Sequence, residues 1–248
     1  RKPYIILKSC GNTTSSSPIS TPKNGYTCNM ILADIEHISR KKKKQLAVLI
    51  DPDKGRKDHL SKIAAIANET KVDLFFVGGS LMVGDEMEET ISTLKSLSNI
   101  PIVLFPGSPS QLSDQADALL FLSLISGRNA DLLIGQQVIA APAIKKSNIE
   151  ILSTGYMLID GGRPTTASYI SGSQPIPANK PEIAAVTAMT GEMLGLKLIY
   201  ADAGSGADFP VSMEMIQSIK SAIDIPLIVG GGMKSAEDVK NAFQAGAD

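Results

Sequence analysis

Short runs rich in valine, isoleucine and leucine recur along the chain. They occupy residues 45–50, 72–77, 102–105, 118–122, 149–153 and 198–202 and the start of 226–233. Amphipathic or small-residue segments separate them. Ile31, Leu32, Ile35 and Ile38 repeat at helical spacing, as do Leu60, Ile63, Ile66 and Ala67, and further helices are predicted around 87–97, 131–146 and 182–194, with a short one after 106–111. Nearly continuous apolar strands that alternate with helices are the pattern of a parallel sheet covered on both faces. The rhythm breaks between 154 and 181. There Tyr156-Met-Leu-Ile-Asp-Gly-Gly162 either extends the fifth strand or pairs with it, and residues 163–181 are expected to form a long loop.

Each strand run ends in small or polar residues, so the chemistry collects at the carboxyl ends of the strands. That is where a (β/α)8 barrel carries its active site, and a TIM barrel is the predicted α/β fold. A doubly wound open sheet is the alternative. It calls for Gly-x-Gly-x-x-Gly after the first strand, where this chain has Asp51-Pro-Asp-Lys54. The chain stops at Ala245-Gly-Ala-Asp248, where an eighth strand is due, which reads as a barrel truncated before that strand.

Composition trims the function classes. Residues 1–29, rich in Ser, Thr, Pro and Asn, read as a disordered or non-native leader, and residues 30–248 read as the barrel. A net charge of -1 over 248 residues argues against a nucleic-acid binder. The two cysteines, Cys10 and Cys28, both fall in the leader, which suits a cytoplasmic protein without a disulfide framework. No apolar run reaches the roughly 18 residues of a membrane span. The basic run Arg40 to Lys44 ends a predicted helix, where cations suit the helix dipole; contact with an anionic lipid surface is its other reading. His37 and His59 fall on predicted helices away from strand ends, which disfavours zinc chemistry and a Ser-His-Asp triad.

The candidate chemistry lies on two glycine-ended strands and one acid-ended strand. Leu198-Ile-Tyr-Ala-Asp-Ala-Gly-Ser-Gly206 and Pro226-Leu-Ile-Val-Gly-Gly-Gly-Met233 each read as strand, glycine loop and helix start. Side by side they suit a bound phosphate. Asp202 ends its strand beside that loop, placed to accept a proton from a bound hydroxyl, although a carboxylate tied to its own loop would look the same. Tyr200 shares its face and either binds substrate or fills the barrel mouth. Asp51 with Ser80 suits a Mg²⁺ completed by substrate phosphates, and Lys54 nearby either neutralises a diphosphate or is simply solvated. A turn cap is the alternative role of Asp51. Phe76, Phe105, Leu122, Leu124 and Ile125 near strand ends line an apolar channel or belong to ordinary core.

Five motifs in order, Leu49-Ile-Asp-Pro-Asp-Lys54, Phe76-Val-Gly-Gly-Ser80, Phe105-Pro-Gly-Ser108, Tyr200-Ala-Asp-Ala-Gly-Ser-Gly206 and Val229-Gly-Gly-Gly-Met233, resemble the geranylgeranylglyceryl phosphate synthase family of TIM-barrel prenyltransferases. The resemblance spans residues 31–248. It implies that the C3 hydroxyl of sn-glycerol 1-phosphate attacks C1 of a polyprenyl diphosphate and that pyrophosphate leaves. Asp51 and Ser80 would hold Mg²⁺ on the diphosphate. Tyr200, Ala201, Asp202, Ala203, Gly204, Ser205 and Gly206, with Gly231 and Gly232, would hold glycerol phosphate, and a homo-oligomer is implied as well. Asp202 stands where the family often has glutamate, and the family's Gly-Asn pair after strand eight is absent from this chain. The rival readings are another phosphate-binding barrel enzyme, an isomerase or lyase, and a phosphate-ligand binding protein without turnover. A Schiff-base lyase needs an interior lysine, and Lys197 at the base of the sixth strand is the one candidate.

Overall fold

In a computed structural model, which describes residues 30–55 and 57–248, the seven apolar runs form one parallel sheet whose strand order is the chain order. The leader, with Cys10 and Cys28, lies outside the described residues. The strands are β1 (Ala47–Ile50), β2 (Leu74–Val77), β3 (Ile102–Leu104), β4 (Ala118–Leu124), β5 (Glu150–Leu158), β6 (Leu198–Asp202) and β7 (Leu227–Gly230). Sequential order without reversal excludes the doubly wound alternative, which needs a switch point. The sheet also curls back on itself. Asp248 donates its N–H to Leu227 O at 2.9 Å and accepts Gln45 N–H at 2.7 Å, so one residue joins the edge of β7 to the entrance of β1. This is the geometry of a (β/α)8 barrel through its seventh strand.

Alternation along the strands sorts side chains into two cores. Leu74, Phe76, Val103, Ala118, Leu120, Leu152 and Leu198 point inward and pack with Ile31 and Ile35 of α1 (Ile31–Arg40). That helix plugs the amino-terminal end of the barrel. Its first turn is capped by a distant carboxylate: Glu150, the first residue of β5, accepts the N–H groups of Ile31 at 2.7 Å and Leu32 at 3.0 Å. Phe75, Val77, Ile102, Leu104 and Leu119 point outward under α2 (Lys57–Thr70), α3 (Met87–Leu97) and α4 (Gln136–Lys146). Ile199, Ala201 and Leu227 do the same under α6 (Pro181–Met193), α7 (Met213–Ala222) and α8 (Ala236–Ala245). Each fully buried aliphatic or aromatic side chain in these layers contributes about 1.5–3 kcal/mol.

Two connections depart from the pattern. The short helix expected between β3 and β4 does not form: residues 105–117 are irregular, because Pro106, Gly107 and Pro109 take up the first part, and the six residues 112–117 left for the helix before Ala118 are fewer than two turns, too few to offset helix nucleation. A strip of the outer sheet face is left without a covering helix. The long loop after β5 is in part ordered. β5 continues through Tyr156 to Leu158, α5 (Thr166–Ser171) starts at a capping box between Thr165 and Ser168, and Ile159 bridges Ile176.

Candidate active site

Asp202 is the last residue of β6 and is 6% exposed. One carboxylate oxygen accepts the Gly204 N–H at 2.6 Å and the other accepts the Tyr156 phenol at 2.5 Å. Burial raises its pKa above the usual carboxylate value, against the lowering effect of those two hydrogen bonds. The result is a carboxylate more basic than a solvated aspartate. Burial, and then the charge of Asp202, hold the phenols of Tyr156 and Tyr200 well above 10, so both are hydrogen-bond donors at neutral pH.

The adjoining strand fits this group only because it ends in glycine. A Cβ on Gly230 would lie 2.4 Å from the Tyr200 hydroxyl, and one on Gly231 would lie 2.4 Å from Asp202 Oδ1 and 2.3 Å from Gly204 N. Gly231 also has φ of 77°, where a side chain is strained. Backbone packed so closely leaves donors facing the mouth. The N–H groups of Ser205, Gly206, Gly231 and Gly232 make no hydrogen bond to any described residue, as an anion site requires. Two cations flank these loops: Arg163 Nε donates to Gly206 O at 2.6 Å and Lys234 Nζ to Asp208 O at 3.0 Å. Ala201 sits in the helix-facing core, and the Ala203 N–H is taken by Gly230 O at 3.0 Å. Of the residues singled out on this side, Tyr200, Asp202, Gly204, Ser205, Gly206, Gly231 and Gly232 come together.

Four aromatic rings cross the upper layer of the barrel. Tyr200 lies 5.6 Å from Tyr156, 5.1 Å from Phe105 and 6.4 Å from Phe76, mostly edge to face, and each such pair adds about 0.5–1.5 kcal/mol. The cluster reaches from β2 to β6 and gives the mouth an apolar floor. Tyr156 was missed from sequence as a functional residue, although alternation from Leu152 and Thr154 already puts it on the inner face.

The β1 and β2 ends are more open. Asp51 Oδ1 accepts the Asp53 N–H at 3.2 Å, so the cap reading is correct, while Oδ2 pairs with Lys54 Nζ at 2.7 Å. The same carboxylate faces β2: a Cβ on Gly79 would lie 3.8 Å from Asp51 Oδ1, and Ser80 follows Gly79. Asp53 instead ties down the next loop, accepting the Val83 N–H at 2.8 Å and the Gly84 N–H at 3.3 Å. Among the described residues no three acids, histidines or cysteines cluster as a complete metal cage. One carboxylate and a neighbouring hydroxyl still fit an ion that keeps most of its positions for substrate oxygens and water, as Mg²⁺ does.

The uncovered strip beside β3 and β4 forms an apolar groove that starts at Gly79 and Ser80. It passes Phe105, Leu122 and Leu124 and runs down past Leu119 and Phe121 to Ala140 and Ile144. Of the channel residues expected from sequence, Phe105, Leu122 and Leu124 line it. Phe76 belongs to the aromatic cluster. Ile125 points instead into the outer core between β5 and α6, where its Cδ1 would be 2.8 Å from a Cβ on Gly155 and 2.9 Å from one on Gly191.

An acid buried beside two free-donor glycine loops, on a parallel barrel with an apolar groove, defines a phosphate-binding barrel able to bring a phosphate ester to an apolar partner. Residues 37–248 match the PcrB family, and the chain belongs to that family. It is 54% identical over 213 residues to the geranylgeranylglyceryl phosphate synthase of Chitinophaga pinensis, covering 85% of this chain and 84% of that protein. It is 40% identical over 213 residues to the enzyme of that name from Pyrococcus furiosus, covering 86% and 84%. The crystal structure of (S)-3-O-geranylgeranylglyceryl phosphate synthase from Thermoplasma acidophilum, in complex with substrate sn-glycerol-1-phosphate, superposes with a TM-score of 0.83 at 32% identity, covering 88% of this chain and 87% of that one. An Escherichia coli aldolase, YdjI, at 15% identity and a TM-score of 0.51, shares the fold alone.

Proposed function

We propose that the protein joins a polyprenyl diphosphate, geranylgeranyl diphosphate in the first instance, to the C3 hydroxyl of sn-glycerol 1-phosphate in ether phospholipid biosynthesis. The C3 oxygen forms a bond to C1 of the prenyl chain, the C1–oxygen bond to the diphosphate breaks, and pyrophosphate leaves with the electron pair. The hydroxyl proton passes to Asp202. The observation that carries this reading is the pairing of that buried, basic carboxylate with the free N–H groups of Ser205, Gly206, Gly231 and Gly232, in a chain of the PcrB family. The phosphate rests on those loops, and its glycerol hydroxyl reaches back toward Asp202. Tyr156 orients the carboxylate, and Tyr200, with Phe105 and Phe76, keeps water from C1 as the diphosphate departs.

Asp51 and Ser80 would hold Mg²⁺, which when bound offsets the charge of the leaving pyrophosphate. Lys54 adds a cation at the same end. The prenyl tail takes the groove from Phe105 past Leu119 to Ile144. A homo-oligomer belongs to the same reading. The face of α6 opposite the buried Ala184 and Ala188 exposes Ile183, Val186 and Met193, and a helix apolar on both sides is usually covered on both. Among the described residues no helix is long and apolar enough to cross a membrane, and a cytoplasmic location suits the reading.

The direct test incubates the protein with Mg²⁺, radiolabelled sn-glycerol 1-phosphate and geranylgeranyl diphosphate, then extracts with organic solvent. Label in the organic phase is the expected result. Bound glycerol phosphate with all label left in water would give the site to a non-catalytic ligand protein or to another barrel chemistry.

A further inference from the structure

We propose that the carboxyl-terminal rim of the barrel is a bilayer-docking surface through which the protein loads its groove. The inference rests on the prenyl diphosphate reading and extends it to where that substrate is met. Five apolar side chains stand out on this rim: Val83 is 86% exposed, Tyr169 83%, Phe209 67%, Leu81 53% and Ile170 47%. Their placement separates them from ordinary exposed apolar residues. Leu81 and Val83 directly follow Gly79 and Ser80, which line one bank of the groove mouth, while Tyr169 and Ile170 lie on α5, whose Ala167, Ile170 and Ser171 line the opposite bank. The exposed apolar residues therefore bracket the entrance that the tail must pass. Phe209 continues the rim on the β6 loop, its ring 3.0 Å from where a Cβ on Gly162 would be.

The display is held in place. Asp53 fixes the tip of the β2 loop through the Val83 and Gly84 N–H groups, and the Thr165–Ser168 capping box fixes the start of α5. Large apolar side chains held on fixed loops in water cost free energy unless something covers them. A bilayer is the occupant that also holds the substrate. A prenyl tail that leaves it through this rim enters the groove without crossing water, and aromatic residues such as Tyr169 and Phe209 suit the membrane interface.

The charge pattern separates this surface from the sequence's own candidate for lipid contact. Near the rim, Asp53, Asp85, Glu86 and Asp208 stand against Lys54, Arg163 and Lys234, a mixed set with no basic excess, so attachment there is apolar, not electrostatic. The run Lys41–Lys44 follows α1 at the opposite, amino-terminal end, where a membrane would face away from the groove mouth.

The test is sedimentation of the full chain with vesicles of pure phosphatidylcholine, with no substrate present. It compares the wild type, a Val83→Gln/Tyr169→Gln variant and a Lys41→Glu/Lys42→Glu/Lys43→Glu variant. Wild type and the lysine variant should bind, and the rim variant should lose about tenfold in partitioning. Transfer to prenyl diphosphate embedded in the vesicles should slow in the rim variant, with transfer to detergent-dispersed substrate unchanged. The proposal is overturned if wild type stays in the supernatant, or if only the lysine variant is released. It is also overturned if the rim variant still binds vesicles but drops in mass by light scattering, which would make the rim a contact between copies. If detergent-dispersed substrate is not turned over by the wild type, the prenyl transfer reading fails, while the vesicle result is read on its own.

Discussion

Two acids end strands at the same barrel mouth in opposite surroundings. Asp202 on β6 is almost wholly buried, and both its oxygens are taken by fixed donors, one from its own loop and one from Tyr156 on β5. The side chain of Asp51 at the end of β1 is 31% exposed, and its partners are local: a turn N–H two residues on and the side chain of Lys54, itself 75% exposed. An ion pair in such an exposed setting is worth about 0–1 kcal/mol and is readily exchanged. Full pre-organisation suits a group that must take a proton in one fixed geometry. A carboxylate with loosely held partners suits a site whose other ligands arrive with the substrate.

If that contrast is right, the largest loss comes from the buried side. Asp202→Asn keeps shape and volume but removes the base, and kcat should fall by roughly a thousandfold, within the range for a lost general base. The fold should survive, because burial already disfavours the charge. With its folded pKa raised, Asp202 contributes stability at acid pH that is lost as pH rises through that raised value. The Asn variant lacks this loss, so its Tm at pH 7 should equal or exceed that of the wild type and depend less on pH across that window. A variant with near-normal kcat would place the base elsewhere; one with a strongly lowered Tm would make Asp202 a structural anchor.

The open side should respond to ligand concentration. For Asp51→Asn we expect roughly a hundredfold loss at limiting Mg²⁺, partly recovered as Mg²⁺ is raised, with binding of glycerol phosphate unchanged by calorimetry. A loss that Mg²⁺ does not relieve would sink the metal assignment and leave Asp51 as the cap of its turn. The two acids then differ in kind, one lost outright and one titratable.

The sequence was informative where local pattern and chemistry coincide. Seven apolar runs, each followed by a small or polar residue, specify a parallel barrel, and Asp202 between strand and glycine loop marks the phosphate end, because both signals lie within a few adjacent residues. Tyr156 was not legible in that way. Its role depends on the β5–β6 register that sets it beside Tyr200, a contact 44 positions away in the chain. The groove was legible only in part: Phe105, Leu122 and Leu124 near strand ends pointed to it, but its course past Leu119 to Ile144 depends on the missing helix at residues 105–117, and an absent helix leaves no motif. Ile125 shows the limit of proximity to a strand end as a signal, since the chain turns there and sends the side chain outward to Gly155 and Gly191.

The smallest effect offers the sharpest test of how tightly the buried side is coupled. Tyr156→Phe removes one oxygen and keeps the ring, so the edge contacts with Phe105 at 5.8 Å and Tyr200 at 5.6 Å persist and the fold should hold. What changes is Asp202. The phenol's hydrogen bond is the first of the two interactions that lower its pKa against burial. Without it, only the Gly204 N–H opposes desolvation, and the pKa rises further. Because turnover needs the ionised carboxylate, the acid limb of the pH profile of kcat/KM should move to higher pH. The variant should lose about tenfold on that limb and less well above it. A uniform loss across pH would mean that Tyr156 acts on the substrate directly. An unmoved limb with an unchanged rate would mean that the acid is set by burial and its own loop, and that the link from β5 to β6 is packing.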